Sequence, residues 1–343
     1  MDAVGGMTRV PEQLVEIVDA PSGLRAFLVI DDTTLGPAAG GVRTRSYETE
    51  TAARDDARAL ARAMTLKCAL ANLAAGGGKC VVMDHPGLDR ARAFAVLGQR
   101  VESLAGQFRT AGDLGTTDAD LSVMARHTGY VHRGVGLADA VGRGLLRCAQ
   151  AAAVAAGWSG LGGRHVVVQG AGSIGAAAAR ALAGAGARLS ISDLDQARAA
   201  ELATALGAEV VPVSRALSTP CDVLAPCAVG GIITAEVARE LQARILCGAA
   251  NNILADAQVA EVLRARGIVH VPDLIASAGA VIDGIGRSVM GLADPTPLID
   301  ALGDTTRSVL AEAAARGTTT EAIAVALAER RIAAARPGSA ATL

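Results

Sequence analysis

The chain has 343 residues, a length that suggests two domains. Hydrophobic residues make up 51% and aromatic ones only 2%, so the core must be built from small aliphatic side chains. A net charge of −2 offers no footing for nucleic acid or an anionic membrane surface.

Cys68, Cys80, Cys148, Cys221, Cys227 and Cys247 form no C-x-x-C pair, and most sit in apolar runs. They read as small buried hydrophobes in a reducing compartment, the cytoplasm. The histidines show no ligand spacing, so no metal site is expected. Met1 to Val10 lacks a basic head followed by an apolar run, so no secretory signal is expected. The apolar run 149–163 is too short and too polar for a membrane span.

In chain order, Leu24 to Ile30 alternates as a strand, Asp31-Asp32-Thr33 reads as a turn, and the glycine-rich Leu35 to Val42 reads as a loop. Residues 49–72 have helical periodicity, with Ala53, Ala57, Leu60, Ala61 and Met64 on the buried face. Gly76-Gly77-Gly78 leads into a strand from Lys79 to Met83, followed by a helix from Leu88 to Ala105 and a strand from Phe108 to Ala111. Thr117-Asp118-Ala119-Asp120 resembles a capping box. A long helix, Ala138 to Ala156, links this section to the next.

Val166 to Gln169 then reads as a buried strand that runs into Gly170-Ala171-Gly172-Ser173-Ile174-Gly175 and a helix, Ala176 to Ala185. A second strand, Arg188 to Ser192, ends in Asp193. This is the dinucleotide fingerprint in its full context. Gly170 permits the turn, Gly172 admits a pyrophosphate, Gly175 lets the helix approach the strand, and Ser173 and Ile174 open the helix N-terminus. Asp193 can accept hydrogen bonds from the ribose hydroxyls and would repel a 2′-phosphate, which favours NAD over NADP. The competing reading, an accidental glycine turn, leaves the registered strand, helix and carboxylate unexplained.

Strands at Glu209–Val213, Asp222–Ala225, Arg244–Gly248 and Ile268–Val271 continue the alternation with helices, and two helices fill most of 296–335. The pattern is that of an α/β protein with a doubly wound parallel sheet. The tail Pro337 to Leu343 is predicted to be disordered. Ligands bind at the carboxyl ends of such strands, which here are Cys227-Ala228, Ala249 with Asn251-Asn252, and Asp273. Asn251-Asn252 could instead cap a helix starting near Ala255.

The chain contains only two lysines among many arginines. Lys67 continues the buried stripe of Leu60 and Met64, and Lys79 follows three glycines. Lysines kept in such a chain point to a group that can lose its proton. Asp113 follows the Phe108 strand and precedes Gly115.

These stretches, with Thr34 to Gly41, Thr110 to Thr116, Ala225 to Ala228 and Ala278 to Ile282, resemble the amino-acid dehydrogenases of the glutamate/leucine/phenylalanine/valine type, most closely the leucine branch. The matches cover nearly the whole chain in family order. The resemblance implies a substrate and catalytic domain over 1–137, to which the helix 318–335 returns, and an NAD-binding Rossmann domain over 138–317. It implies that Lys67 binds the substrate carboxylate with Gly40, Gly41 and Asn252, that Lys79 activates water, and that Asp113 carries the proton. Ala39, Met64, Val281 and Gly284 would line the side-chain pocket, and Cys227, Ala228, Ala249 and Asn251 would join the fingerprint around NAD. The implied reaction is reversible oxidative deamination of an L-amino acid to a 2-oxo acid and ammonia by a cytoplasmic homo-oligomer, in a cleft that closes on its substrate.

Two departures stand out. The segment Tyr130 to Asp139 is several residues shorter than in the family, and Asp139 falls where a threonine near the nicotinamide belongs. Ala39 and Gly284 replace a leucine and a valine, so a pocket enlarged for an aromatic or unusual substrate is expected. The alternatives are a specialised imine or amino-acid oxidoreductase and a catalytically weak NAD(H)-binding sensor. The retained Lys67, Lys79 and Asp113 weigh against the sensor, and the short segment weighs for it.

Overall fold

A computed structural model describes residues 12–134 and 136–336, so the expectations for Met1–Val10 and for the tail from Pro337 lie outside the described residues. The chain forms two compact units. The first runs to Val135 and includes Ser288–Gly291 and the chain from Arg330; the second holds Gly136–Arg287 and Leu292–Glu329.

The first unit contains β1 (Gln13–Asp19), β2 (Leu24–Asp32), β3 (Ala38–Arg45), α1 (Glu50–Leu70), β4 (Gly76–Met83), α2 (Arg90–Ser103), β5 (Phe108–Gly112) and α3 (Asp118–Met124). Its strands form one mixed sheet in the order β1-β2-β4-β3-β5. β2 runs antiparallel to β1 and β4, while β3 runs parallel to β4 and β5.

α1 begins where the Thr49 hydroxyl accepts a hydrogen bond from the Ala52 amide at 3.1 Å. Its buried alanines Ala53, Ala57 and Ala61, spaced four apart, pack on Phe27, Val29 and Val81. The opposite sheet face, including Val42, Cys80 and Phe108, packs on Phe94 and Leu97 of α2 and Met124 of α3. Thr117 and Asp120 form the expected capping box at the start of α3.

Four readings of this region change. Leu35 to Val42 is not a loop, because β3 starts at Ala38. The glycines mark close backbone approach, since a Cβ on Gly40 would lie 1.7 Å from the Gly78 carbonyl oxygen. β4 likewise starts at Gly76 rather than Lys79, and a Cβ on Gly77 would lie 2.1 Å from the Thr65 amide nitrogen of α1. β2 runs on through Asp32, which pairs with Gly77 beyond a bulge. β1 was not anticipated; its mostly exposed or half-buried side chains carry little hydrophobic signal, and its register on β2 is set by pairing.

The second unit opens with α4 (Leu137–Ala155), β6 (His165–Gln169), α5 (Ser173–Gly184), β7 (Arg188–Ser192), α6 (Gln196–Leu206) and β8 (Glu209–Val210). It continues with β9 (Cys221–Pro226), α7 (Ala235–Glu240), β10 (Ala243–Leu246), α8 (Gln258–Ala265), β11 (Val269–His270), α9 (Asp273–Ala276) and α10 (Gly279–Ser288). α11 (Thr296–Asp300) and α12 (Leu302–Arg316) precede α13 (Thr320–Ala334), whose last turn groups with the first unit. There Arg331 donates to the Ala69 and Leu70 carbonyls of α1.

All pairings in this sheet are parallel, in the order β11-β10-β9-β6-β7-β8. Strand order therefore reverses between β6 and β9, the switch point of a doubly wound fold. Val167, Leu224 and Leu246 pack against Ala238 of α7 and Val259 and Leu263 of α8. Three helices rather than two occupy 296–335, and Glu209–Val213 keeps only two strand residues, both exposed. α8 starts at Gln258, so Asn251-Asn252 is not its cap.

Because a Cβ on Gly77 would overlap the Thr65 amide nitrogen and hydroxyl and the Ala61 carbonyl oxygen of α1, Gly77→Ala should cost more than about 3 kcal/mol of stability. Gly129→Ala, where an added Cβ meets nothing within 4 Å, should change stability by less than about 0.5 kcal/mol. Equal urea midpoints for the two variants would disprove the close-approach account.

Candidate active site

Lys79 lies on β4, the central strand of the first sheet, and is 6% exposed. A lysine stays charged in such a place only with a partner. Asp113, just past the end of β5, supplies one, with its Oδ2 3.0 Å from Lys79 Nζ. Arg43 Nε donates to the same oxygen at 2.9 Å. Arg43 Nη1 lies 3.3 Å from Asp56 of α1, whose Oδ2 also accepts the Tyr47 hydroxyl at 2.5 Å. Two cations and two carboxylates thus form a balanced cluster drawn from α1, β3, β4 and the end of β5.

Burial would raise the proton affinity of Asp113, but Lys79 and Arg43 outweigh it and hold the carboxyl below its ordinary value. Burial pushes Lys79 below the usual lysine range; Asp113 opposes this and Arg43 reinforces it. The result is a fixed carboxylate beside an ammonium that releases its proton more readily than a solvated lysine.

Gly41 belongs to this site, because a Cβ there would lie 2.9 Å from Asp113 Cβ. Gly40 is buried against Gly78 within the sheet. Ala39 is 3% exposed and in register with Gly77 and Arg109 on its neighbouring strands. Met64 and Lys67 lie three apart on α1, with Met64 half-buried and Lys67 7% exposed.

In the second unit the glycine-rich turn sits at the switch point. Gly170 has φ +104°, and a Cβ on Gly175 would lie 1.9 Å from the Gly170 carbonyl oxygen. Gly172 and Ser173 are exposed, and Ile174 is half-buried. Gly172 is the N-cap of α5 and makes no side-chain cap, leaving first-turn amides available to an anion. Asp193 accepts from the Ala171 amide at 2.6 Å and the Asp195 amide at 2.8 Å. Burial would raise its proton affinity, but those two amides and Arg198 keep it low. A charged carboxylate therefore stands beside the turn, as an adenosine ribose requires.

Across the switch point, the Cys227 amide donates to Gln169 at 2.7 Å, and Ala228 is exposed. Cys227 and Ala249 are buried, and burial raises the Cys227 thiol to about 11, so it is neutral. Asn251 and Asn252 are exposed. Asn252 has φ +52°; its amide donates to Asp273 Oδ2 at 2.9 Å and its carbonyl accepts from Gly231 at 2.7 Å. The Ser277 hydroxyl donates to Asn251 Oδ1 at 3.1 Å. These residues fit a dinucleotide: close glycine backbone, free helix amides, a placed carboxylate and one fixed amide side chain, that of Asn251. Val281 and Gly284, half-buried, share one face of α10. Asp139 is in the first turn of α4, 78% exposed and 3.8 Å from Arg180.

Sequence reasoning missed Arg43, Asp56 and Tyr47. Reading Ala38–Arg45 as a strand would have revealed Arg43, because it alternates with Ala39 and Gly41 onto one face. Among the described residues, no His/Cys/Asp/Glu group is arranged to hold a metal ion, and no helix is long and apolar enough to cross a membrane.

Comparison with known proteins gives the same family. The profile described as Glu/Leu/Phe/Val dehydrogenase, dimerisation domain, matches residues 11–130. The profile for Glutamate/Leucine/Phenylalanine/Valine dehydrogenase matches residues 190–284. The leucine dehydrogenase of Bacillus subtilis (strain 168) is 38% identical over 284 residues, 79% of this chain and 77% of that protein. The phenylalanine dehydrogenase of Lysinibacillus sphaericus is 36% identical over 285 residues, 79% of this chain and 75% of that protein. The crystal structure of L-tryptophan dehydrogenase from Nostoc punctiforme superposes with a TM-score of 0.84 at 34% identity, covering 94% of this chain and 96% of that one. With its buried lysine–carboxylate pair and dinucleotide turn, this chain belongs to the Glu/Leu/Phe/Val dehydrogenase family.

Proposed function

We propose that this protein catalyses NAD-dependent oxidative deamination of an L-amino acid, with Lys79 and Asp113 as its catalytic residues. The observation that carries this reading is the 3.0 Å pair between them, held on the central strand of the first sheet. A sensor that only bound NAD would have no use for a buried charge pair of this cost.

In this reading the overall reaction consumes the amino acid, water and the oxidised cofactor, and yields the 2-oxo acid, ammonium, the reduced cofactor and one proton. Bound NAD supplies the hydride acceptor. Lys67 holds the substrate carboxylate, with Gly41 letting the backbone come close. Neutral Lys79 takes a proton from the water that adds to the imine carbon. Asp113, whose side chain is 24% exposed, passes protons between the substrate nitrogen and solvent as ammonia leaves. Burial lowers the proton affinity of Lys79, so its neutral, basic form is reached more readily than in a solvated lysine.

The substrate side chain follows from Ala39 and Gly284. Each is smaller than the residue at its place in the leucine branch, which supports acceptance of an aromatic side chain. We also read the protein as cytoplasmic and as a homo-oligomer, the second supported by the dimerisation-domain profile over residues 11–130. A single-chain mass in light scattering would remove that part of the reading.

The function is tested by mixing purified protein with NAD and a panel of L-amino acids and following absorbance of the reduced cofactor. Lys79→Ala should lower turnover by about 10²–10³-fold while leaving NADH binding nearly unchanged. More than about a tenth of wild-type activity in that variant would take Lys79 out of the chemistry.

Phenylalanine- or tryptophan-sized substrates should be used at least as well as valine. Ala39→Leu should move the ratio of kcat/KM values back toward branched aliphatic substrates, by roughly 10-fold for the added bulk. A wild-type preference for valine, with the ratio unmoved in the variant, would reject the enlarged pocket.

A further inference from the structure

We propose that Arg43 is a positioning residue for the reaction: it tethers the Asp113 carboxylate to α1 and keeps a fixed positive charge beside the Lys79–Asp113 pair. This rests on the reading of Asp113 as the proton carrier.

The geometry is specific. Arg43 and Lys79 share one oxygen of Asp113, at 2.9 and 3.0 Å. The far end of the same guanidinium is anchored by Asp56, which the Tyr47 hydroxyl holds in turn. A guanidinium can bridge two carboxylates because its N–H groups diverge in a rigid plane, whereas a lysine ammonium cannot reach both. Arg43 is itself largely covered, with 16% of its side chain exposed, so solvent screens its charge weakly. The Leu114 amide also donates to Asp113. The carboxylate is thus held from three directions while its exposed side remains open to a proton.

The charged and titratable groups that the structure pairs around this carboxylate are Lys79 of β4, Arg43 of β3, Asp56 of α1 and Tyr47 of the β3–α1 connection. Arg43 stabilises the ionised form of Asp113 and destabilises the ammonium of Lys79. Its removal therefore makes both groups hold their protons to higher pH. The acid limb of the deamination rate must then move upward.

The test compares Arg43→Met, Arg43→Lys, Asp113→Asn and the Arg43→Met/Asp113→Asn double variant, using kcat, KM for NAD and amino acid, single-turnover rates and pH profiles. Arg43→Met should lower kcat about 10-fold or more, change each KM less than about threefold, and raise the acid limb by about one pH unit. Arg43→Lys should lose kcat with the limb nearly unmoved, because the charge stays and the tether goes. In the Asp113→Asn background, Arg43→Met should cost less than about twofold further, because Arg43 acts through that carboxylate.

A kcat for Arg43→Met within twofold of wild type with an unmoved limb overturns the proposal, as does a full multiplicative loss in the double variant. If Asp113→Asn is inactive while Arg43→Met is normal, only the role of Arg43 falls. If Asp113→Asn keeps wild-type turnover, the reading of Asp113 falls and takes this one with it. Should Arg43→Met fail to fold, Arg43→Lys decides by itself: lowered kcat at an unmoved limb supports the tether, and wild-type kcat overturns it.

Discussion

The buried contact between Lys79 and Asp113 is the constraint around which the first unit is organised. Removing an ammonium and a carboxylate from water costs several kcal/mol per ion, and their mutual attraction recovers this only with good geometry and further hydrogen bonds. The fold meets both conditions. It places Lys79 on the central strand, where the backbone is fixed by partners on both sides, and brings Asp113 to it from the end of β5. Arg43 and Asp56 then complete a cluster with no net charge.

The sheet carries little side-chain bulk where the cluster forms. Gly40 and Gly41 on β3 and Gly76 to Gly78 on β4 remove side-chain bulk where α1, β2 and β5 crowd the centre. Close approach of α1 brings Asp56 within reach of Arg43 and places Lys67 and Met64 at the C-terminal end of the same helix. The glycines thus act through geometry: they set the distance at which charged side chains from different elements can meet. On the α1 face the core combines three alanines with Phe27, Val29 and Val81, and the small alanine side chains suit such short separations.

The second unit solves a different problem with the same economy of side chains. Its strand order reverses between β6 and β9, the place where such sheets receive a ligand. The turn after β6, the carboxylate after β7 and the small residues after β9 all follow from strand ends meeting at one edge. Asp193 has two tasks there. It holds the Ala171 and Asp195 amides, which fixes the turn, and keeps a negative charge beside the glycines. Asp273 plays a similar part for the Asn251-Asn252 segment, whose left-handed backbone at Asn252 it supports through the amide.

Much of this was legible in the sequence, for a physical reason: local patterns report local structure. The fingerprint from Val166 to Gly175, the strand ending before Asp193, the capping box at Thr117 and the buried stripe of α1 each depend on residues close in the chain. The two lysines and Asp113 stood out by residue type, and the family by its motifs. What lay beyond the sequence depended on partners distant in the chain. The glycine runs read as loops because nothing local says that a helix and neighbouring strands press against them. β1 was invisible because its place is set by pairing with β2 rather than by hydrophobic pattern. Arg43 looked like one arginine among many until the register of β3 put it on the face of Lys79, with Asp113 70 residues away and Asp56 13 residues away. Electrostatic clusters of this kind are decided by tertiary structure, because charge interactions depend on separation and burial in space, neither of which a linear pattern carries.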